Sequence, residues 1–151
     1  MDNNFIKAMQ FVSLHEWSNR QDGAYTNDPV DPGGETKFGV AKRSHPNLDI
    51  KNLTLPEALE IYYKEYWVVY RCDSYPSIGM SICVFDTAVN GGLKSILSKM
   101  TSDDYREFIS LRRQRYLNII AKNPSQVRFK SGWMARLNDL AKFCEIQEQA
   151  D

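Results

Sequence analysis

The chain has 151 residues, of which 42% are hydrophobic and 25% are charged, and it carries 19 basic and 19 acidic residues. These values are typical of a globular protein, and we expect residues 1–151 to form a single domain. The zero net charge argues against a dedicated nucleic-acid-binding protein.

The sequence also limits where the protein works. The N-terminal segment lacks the basic start, long apolar core and cleavage site of a signal peptide, and no run of about 18 apolar residues occurs. The three cysteines have no disulfide or metal-binding spacing. We therefore expect no stable membrane insertion, and a protein that folds in the cytoplasm and stays there until it is released.

The N-terminal third is predicted to contain one helix and one irregular segment. Apolar residues at helical spacing predict a helix over residues 4–18. Residues 19–36 contain most of the glycines and prolines of this region, which indicates a structured loop or a short hairpin. A short helix is predicted near residues 38–44.

The remainder of the chain is predicted to be helical. Thr54 begins a helix with an early proline and a capping-box glutamate. Residues 77–90 are apolar nearly all round, which is typical of a central helix, and Gly91 and Gly92 end it. Further helices are predicted over residues 102–122 and 132–146. The expected fold class is mainly α, as an α+β fold with a helical domain and a small irregular or hairpin lobe.

Glu16 is a carboxyl group in an apolar setting. It continues the stripe of Phe5, Met9 and Val12 on the first predicted helix. A buried carboxyl loses hydration, so its pKa should rise, and a raised pKa suits a general acid near neutral pH. The alternative is a glutamate that bends out to water at the helix end or pairs with Arg20.

The loop of residues 26–40 is unusually rich in polar groups. It brings Asp28, Asp31, Glu35 and Thr36 into nine residues together with two glycines and two prolines. Glycosidases need one acid for the leaving oxygen and a second carboxylate for water or the sugar cation. A surface loop rich in Asx turns and a calcium site are the alternatives, although the spacing does not match an EF-hand.

Four segments in order resemble glycoside hydrolase family 108, the phage and bacterial muramidases: GAYTNDPVDPGGETKFGVAKRSHP, LTLPEALEIYYKEYW, VFDTAVNGG and RRQRYLNIIAKNPSQVRFKSGWMARLNDL. The resemblance covers the chain from about Phe5 to Leu140. It implies a lysozyme-like fold and hydrolysis of the β-1,4 bond between N-acetylmuramic acid and N-acetylglucosamine. It implies no cofactor and no metal.

The resemblance departs from the family pattern at the acid. The family glutamate stands directly before a G-G-Y motif, where this chain has Asp22. Glu16 ends a helix six residues upstream, as the family glutamate does, so we interpret the intervening residues as an insertion and assign the acid to Glu16. The alternative is that Asp22 is the acid in register.

The other implied site residues lie on the loop and on a later helix. By resemblance to phage lysozymes, Asp31 would orient or deprotonate the attacking water or stabilise the sugar cation, and Thr36 would hold the water. Glu35 is an acceptable substitute for Asp31, and Asp28 is a weaker one. Asp86 is interpreted as a structural acid bonded to backbone or to an arginine. The residues expected to line the substrate cleft are Tyr25, Glu35 and Asn90, although Asn90 is also a candidate cap for its own helix.

The expected partner is the glycan strand of peptidoglycan, with no nucleic acid. We expect a monomeric phage or prophage endolysin that lyses cells after holin-dependent release, or a bacterial enzyme delivered by another route. Two rival functions remain: a lytic transglycosylase, and a non-catalytic wall-binding or secretion-accessory protein with a decayed site. The basic segment 106–136 is either a solvated helix face or a surface for an anionic polymer.

Overall fold

A computed structural model describes residues 2–150 and has a mainly α architecture, 62% helical, with a small antiparallel sheet. This confirms the predicted fold class. Among the described residues no helix is both long and apolar enough to cross a membrane. In chain order the elements are α1 (Asn3–Trp17), β1 (Thr36–Lys37), β2 (Val40–Ala41), α2 (Leu55–Tyr62), α3 (Ile78–Asn90), α4 (Leu93–Leu97), α5 (Tyr105–Lys122) and α6 (Lys130–Gln149).

Helix α3 forms the centre of the core. Every residue from Ile78 to Thr87 is buried, and α3 packs against α1, α5 and α6. At the α1 side, Phe5, Trp67 and Phe85 form a cluster of edge-to-face aromatic rings with centroids 5.5–5.6 Å apart. The prediction that the apolar segment 77–90 is a central helix is therefore confirmed, and the one charged side chain of α3, Asp86, lies in the interior.

Helix α1 is capped at both ends. The Asp2 carboxylate accepts a hydrogen bond from the backbone N–H of Phe5 at 2.7 Å, which satisfies one free amide of the first turn. At the other end Ser18 adopts a left-handed conformation with φ of 54°, and its N–H bonds to the carbonyl of Leu14. The helix therefore stops at Trp17, and Glu16 lies in its last turn.

A β-hairpin follows, where a short helix near residues 38–44 was predicted. Lys37 pairs with Val40, and the two residues between them, Phe38 and Gly39, both have positive φ. This is the geometry of a type I′ turn, whose twist matches that of the flanking strands. The Phe38 ring is buried against Trp17 at a centroid distance of 5.5 Å, so the packing of this ring offsets the strained backbone. The prediction of a helix here was wrong.

The α2 segment begins as predicted and then changes its helical period. Thr54 and Glu57 form a reciprocal capping box at the start of α2. Residues Tyr63–Trp67 continue as a π-helix, closed by a hydrogen bond from the N–H of Val68 to the carbonyl of Tyr63. Such π segments are often found at functional sites.

The C-terminal half differs from prediction at helix boundaries. Helix α5 begins at Tyr105 with Asp104 as its N-cap, not at Ser102, because Ser102 instead accepts the N–H of Asp104. Helix α6 is longer than the predicted 132–146, and the short α4 was not predicted. The buried cysteines carry no disulfide among the described residues.

Candidate active site

Glu16 lies at the junction of α1, the hairpin and α2. Its side chain is 24% exposed and lines a partly enclosed cavity of about 100 Å³. The cavity is too small for a whole sugar, since pockets for small ligands usually measure about 300–1,000 Å³. A ligand would therefore lie over its mouth, with one substituent inside. The other lining residues are Gly39, Val40, Ala41, Ser44, His45, Ile61, Tyr62, Tyr66 and Val89.

The hairpin is fixed to the helical body beside Glu16. The Tyr62 hydroxyl donates a hydrogen bond of 2.8 Å to the carbonyl of Phe38, in the turn itself. Gly39 passes so close that a Cβ at this position would collide with the Tyr62 hydroxyl and contact Glu16. Burial raises the pKa of Tyr62, and the nearby charge of Glu16 adds to this effect, so the hydroxyl keeps its proton and remains a donor.

A chain of buried charges runs from Glu16 into the core. One terminal nitrogen of Arg136, Nη2, lies 3.1 Å from Glu16 Oε1 and 2.6 Å from Asp86 Oδ1. The other oxygen of Asp86 accepts from Arg112 Nη1 at 2.6 Å, and the same nitrogen donates to the Thr87 hydroxyl at 3.0 Å. Asp86 is therefore bonded to two arginines, in agreement with its interpretation as a structural acid.

The mutual charges of this cluster set its ionisation. Burial by itself would raise the pKa of Asp86, but the guanidinium groups of Arg112 and Arg136 outweigh it and hold the pKa below its ordinary value. Burial would lower the pKa of Arg136, and the charges of Asp86 and Glu16 outweigh that effect and raise it. Asp86 and both arginines thus stay charged in the interior, where each needs the others.

Asp22 lies outside this site, in a solvent-exposed turn. Its side chain is 58% exposed, accepts the backbone N–H of Ala24 at 2.9 Å and pairs with Arg20 at 2.7 Å. The Ala24 N–H and the Arg20 guanidinium lower the pKa of Asp22. A carboxyl stabilised as its anion is a poor proton donor, which weighs against Asp22 as the acid. Arg20 pairs with Asp22 rather than with Glu16.

Three predicted site residues, Tyr25, Glu35 and Thr36, make side-chain contacts where the loop enters the hairpin. Tyr25 donates a hydrogen bond of 2.5 Å to the carboxylate of Glu35, and this bond raises the pKa of Tyr25. One residue further along, the hydroxyls of Thr26 and Thr36 lie 2.7 Å apart, across an isolated β-bridge between these residues. The bridge adds a third backbone segment to the lobe and fixes the side chain of Thr36.

Asp31 and Asp28 occupy the exposed end of the same loop. Each side chain accepts the backbone N–H two residues ahead: Asp31 from Gly33 at 2.8 Å, and Asp28 from Val30 at 3.0 Å. This is the local geometry of Asx turns. Within residues 2–150 no hydrogen bond or ion pair joins either carboxylate to Glu16.

Asn90 connects the surface of α3 to the buried charges. Its side-chain amide donates to the Tyr116 hydroxyl at 2.9 Å, and that hydroxyl also accepts from Arg112 Nε at 3.2 Å. The Tyr116 ring stacks on Trp133 at a centroid distance of 4.7 Å. The C-cap residue of α3 is Gly91, so Asn90 does not cap its own helix. Its side-chain amide is held by the Tyr116 hydroxyl.

Sequence reasoning missed several groups around Glu16. Arg112 and Arg136 appeared only as members of the basic segment 106–136, yet both turn inward, so this segment offers fewer surface charges than its sequence indicated. His45 also lines the cavity, and its Nε2 lies 2.7 Å from the Glu65 carboxylate. Tyr62 and Tyr66 line the same cavity, and their helical spacing in the sequence was the available signal for them.

The side chains of residues 2–150 offer no evident metal site. Within this range, no three His, Cys, Asp or Glu side chains come together as a candidate metal-binding group. The chemistry that the site can supply comes from a carboxyl group that lines the cavity, a guanidinium in contact with it and tyrosine hydroxyls nearby.

Comparison with known proteins gives one match. The family model described as Glycosyl hydrolase 108 matches residues 16–92, which is just over half of the chain. The match begins at Glu16 and ends at Gly92, so the resemblance that we noted in segment 112–140 lies outside it. No curated protein and no solved structure matches the chain.

Proposed function

The chain belongs to the glycosyl hydrolase 108 family, and from this premise we propose that it is a muramidase that hydrolyses the β-1,4 bond between N-acetylmuramic acid and N-acetylglucosamine in peptidoglycan. The observation that carries the proposal is the position of Glu16: a partly buried carboxyl group that lines a cavity between the hairpin lobe and the helical body. Membership of the family makes the chain a glycoside hydrolase, and the bond and the residue roles are our proposal.

In the proposed reaction Glu16 is the general acid. Its proton passes to the glycosidic oxygen as the bond from that oxygen to the anomeric carbon breaks, and the sugar develops oxocarbenium character. Water then adds to the anomeric carbon and loses a proton. Asp31 would orient or deprotonate this water or stabilise the sugar cation, with Glu35 as its substitute, and Thr36 would hold the water. Tyr25, Glu35 and Asn90 would contact the glycan.

The fixed hairpin supports these roles. The Tyr25–Glu35 hydrogen bond and the Thr26–Thr36 contact hold the polar lobe in one arrangement. The hydrogen bond from Tyr62 to Phe38 fixes the lobe against the helical body next to Glu16. A pre-organised set of polar groups reduces the reorganisation needed during the reaction.

The proposal includes a location. Peptidoglycan lies outside the cytoplasmic membrane, so an enzyme made in the cytoplasm would have to be released to reach it. Release through a holin, as for phage endolysins, is the route that we propose.

The test is a matched pair of isosteric variants, Glu16→Gln and Asp22→Asn. We expect wild type and Asp22→Asn to clear a suspension of purified cell walls, and Glu16→Gln to lose at least a hundredfold in rate, because general acid catalysis contributes about 10²–10⁴-fold. If Glu16→Gln clears the suspension as fast as wild type, Glu16 is not the general acid. If only Asp22→Asn loses activity, Asp22 is the general acid.

The products decide the reaction class. Hydrolysis adds one water, about 18 Da, to each cleaved fragment pair, whereas a lytic transglycosylase forms an anhydro sugar with no added mass. We expect mass spectrometry of the digested wall to show the hydrated, reducing-end products. Anhydro products would contradict hydrolysis, and wall binding without any cleavage would support a non-catalytic protein.

A further inference from the structure

We propose that Arg136 is a positioning residue for Glu16, which fixes one oxygen of this carboxyl group and compensates the negative charge left on it when the proton is transferred. The inference rests on the proposed role of Glu16 as the acid. It adds a residue of α6 that lies beyond the part of the chain matched by the family model.

The geometry separates the two oxygens of Glu16. Oε1 accepts from Arg136 Nη2 at 3.1 Å, whereas Oε2 accepts no hydrogen bond from any residue in the range 2–150. One oxygen is thus held from inside the protein, and the other is left to meet a substrate. A proton donor needs this arrangement, because the transferable proton must lie on an oxygen that can face the glycosidic bond.

Arg136 is itself held in place. Its side chain is only 14% exposed, and the nitrogen that contacts Glu16 also donates to Asp86 at 2.6 Å. Asp86 is fully buried and is fixed on its far side by Arg112. The guanidinium of Arg136 therefore has little freedom to follow Glu16, and Glu16 must adapt to it.

The charge balance favours the state that follows proton transfer. Two guanidinium groups, Arg112 and Arg136, face two carboxyl groups, Asp86 and Glu16. With Glu16 protonated the cluster carries an excess of one positive charge. When the proton moves to the glycosidic oxygen and the leaving group departs with it, Glu16 becomes a carboxylate and the cluster becomes neutral. An interaction that strengthens as charge develops accelerates the step.

Other groups also surround Glu16 and contribute to its pH response. The titratable and charged side chains from the neighbouring elements are His15 of α1, His45 after β2, Tyr62 at the end of α2, Tyr66 in the π-helix that follows, Asp86 of α3 and Arg136 of α6. Arg136 is the cation in direct contact with the carboxylate of Glu16. Replacing it also removes one of the two cations that contact Asp86, so the test needs a control for damage to the buried cluster.

The test uses Arg136→Gln, which removes the charge, and Arg136→Lys, which keeps it. We expect Arg136→Gln to clear cell walls at least tenfold more slowly, and the alkaline limb of its pH–rate profile to move up by about one pH unit, since loss of an adjacent positive charge favours the protonated acid. Arg136→Lys should return the alkaline limb to the wild-type pH and recover only part of the rate, because the shorter lysine side chain does not place its ammonium where Nη2 of Arg136 lies between Glu16 and Asp86.

Arg112→Lys is the matched control for damage to the buried cluster, since Arg112 contacts Asp86 but not Glu16. It should lower stability in urea while leaving the alkaline limb in place. The inference is overturned if the alkaline limb of the pH–rate profile of Arg136→Gln stays at the wild-type pH. It is also overturned if Arg112→Lys shifts that limb by the same amount, because the role of Arg136 is then merely structural. If Glu16→Gln is as active as wild type, the proposed function of Glu16 fails and the inference fails with it.

Discussion

Replacing Asp86 with alanine removes the acid at the centre of the buried cluster. Arg136 retains Glu16 at 3.1 Å, but Arg112 is left with hydroxyl partners only, those of Thr87 and Tyr116. Arg112 is 1% exposed, so its positive charge would stay in the interior without an acidic partner. Breaking a buried ion pair in this way costs about 3–5 kcal/mol. We expect the free energy of unfolding of Asp86→Ala to fall by this amount, with a decrease in Tm of roughly 10 °C.

The measurement is urea unfolding followed by tryptophan fluorescence, with Asp139→Ala as the matched control. Asp139 is 57% exposed and lies 3.5 Å from His15, so its removal should cost less than about 1 kcal/mol. A cost for Asp86→Ala as small as that for Asp139→Ala would refute the argument that Arg112 depends on Asp86.

The same cluster predicts a pH dependence. The pKa of Asp86 is lowered in the folded protein, because Arg112 and Arg136 outweigh the effect of burial. A carboxyl with a lowered folded pKa contributes its full stability above the unfolded value of about 3.9, and loses it as the pH falls through the folded pKa. The stability difference between wild type and Asp86→Asn should therefore be constant between about pH 5 and pH 7, and should shrink below about pH 4. A difference that persists unchanged at the lowest pH would contradict this assignment.

Two further predictions concern the hairpin contact and the thiols. Gly39→Ala should destabilise the protein because its Cβ would strike the Tyr62 hydroxyl, and Tyr62→Phe should destabilise it by leaving the carbonyl of Phe38 without its donor. In a double-mutant cycle measured by urea unfolding, the double variant should lose less free energy of unfolding than the sum of the two single losses, by at least about 0.5 kcal/mol. Strict additivity of the two losses would argue against the contact. The three cysteines are all buried, and burial raises the pKa of Cys72 to about 12. An aromatic disulfide reagent should therefore modify none of them in the native protein and all three in urea, whereas rapid modification of the native protein would contradict their burial.

Local patterns predicted most of the helical body. The capping box at Thr54 and the apolar run that forms α3 are signals carried by neighbouring residues, and the structure contains both elements. The helical wheel also indicated that Glu16 continues an apolar stripe, and its partly buried position agrees with that. Asp86 was interpreted as a structural acid bonded to backbone or to an arginine, and the structure shows it in contact with two arginines.

The hairpin could not be predicted in the same way. A type I′ turn is normally signalled by Asn-Gly or Asp-Gly, whereas this turn is formed by Phe38 and Gly39. Phe38 tolerates positive φ only because its ring packs on Trp17, a contact that the local sequence does not reveal. Tertiary packing outweighed local preference at this turn.

The partners of Glu16 were hidden by sequence distance. Arg136 lies 120 residues from Glu16, and Arg112 lies 26 residues from Asp86. Periodicity gave no reason to distinguish these two arginines from the other basic residues of the same segment. The family resemblance indicated Glu16 as the acid. Arg112 and Arg136 reach the buried cluster because α5 and α6 pack against α3, which the sequence alone does not show.

The chain-long separation of these charges has a consequence for biosynthesis. Glu16 and Asp86 both emerge from the ribosome before Arg112 and Arg136, so between residues 86 and 112 the nascent chain holds two acids destined for the interior and neither of their counter-ions. On the ribosome, the contact between Glu16 and Arg136 can form only after residue 136 has been synthesised, near the end of translation. A fragment that ends at Gly92, where the family match ends, would retain both carboxylates and have no arginine from α5 or α6 with which to bury them.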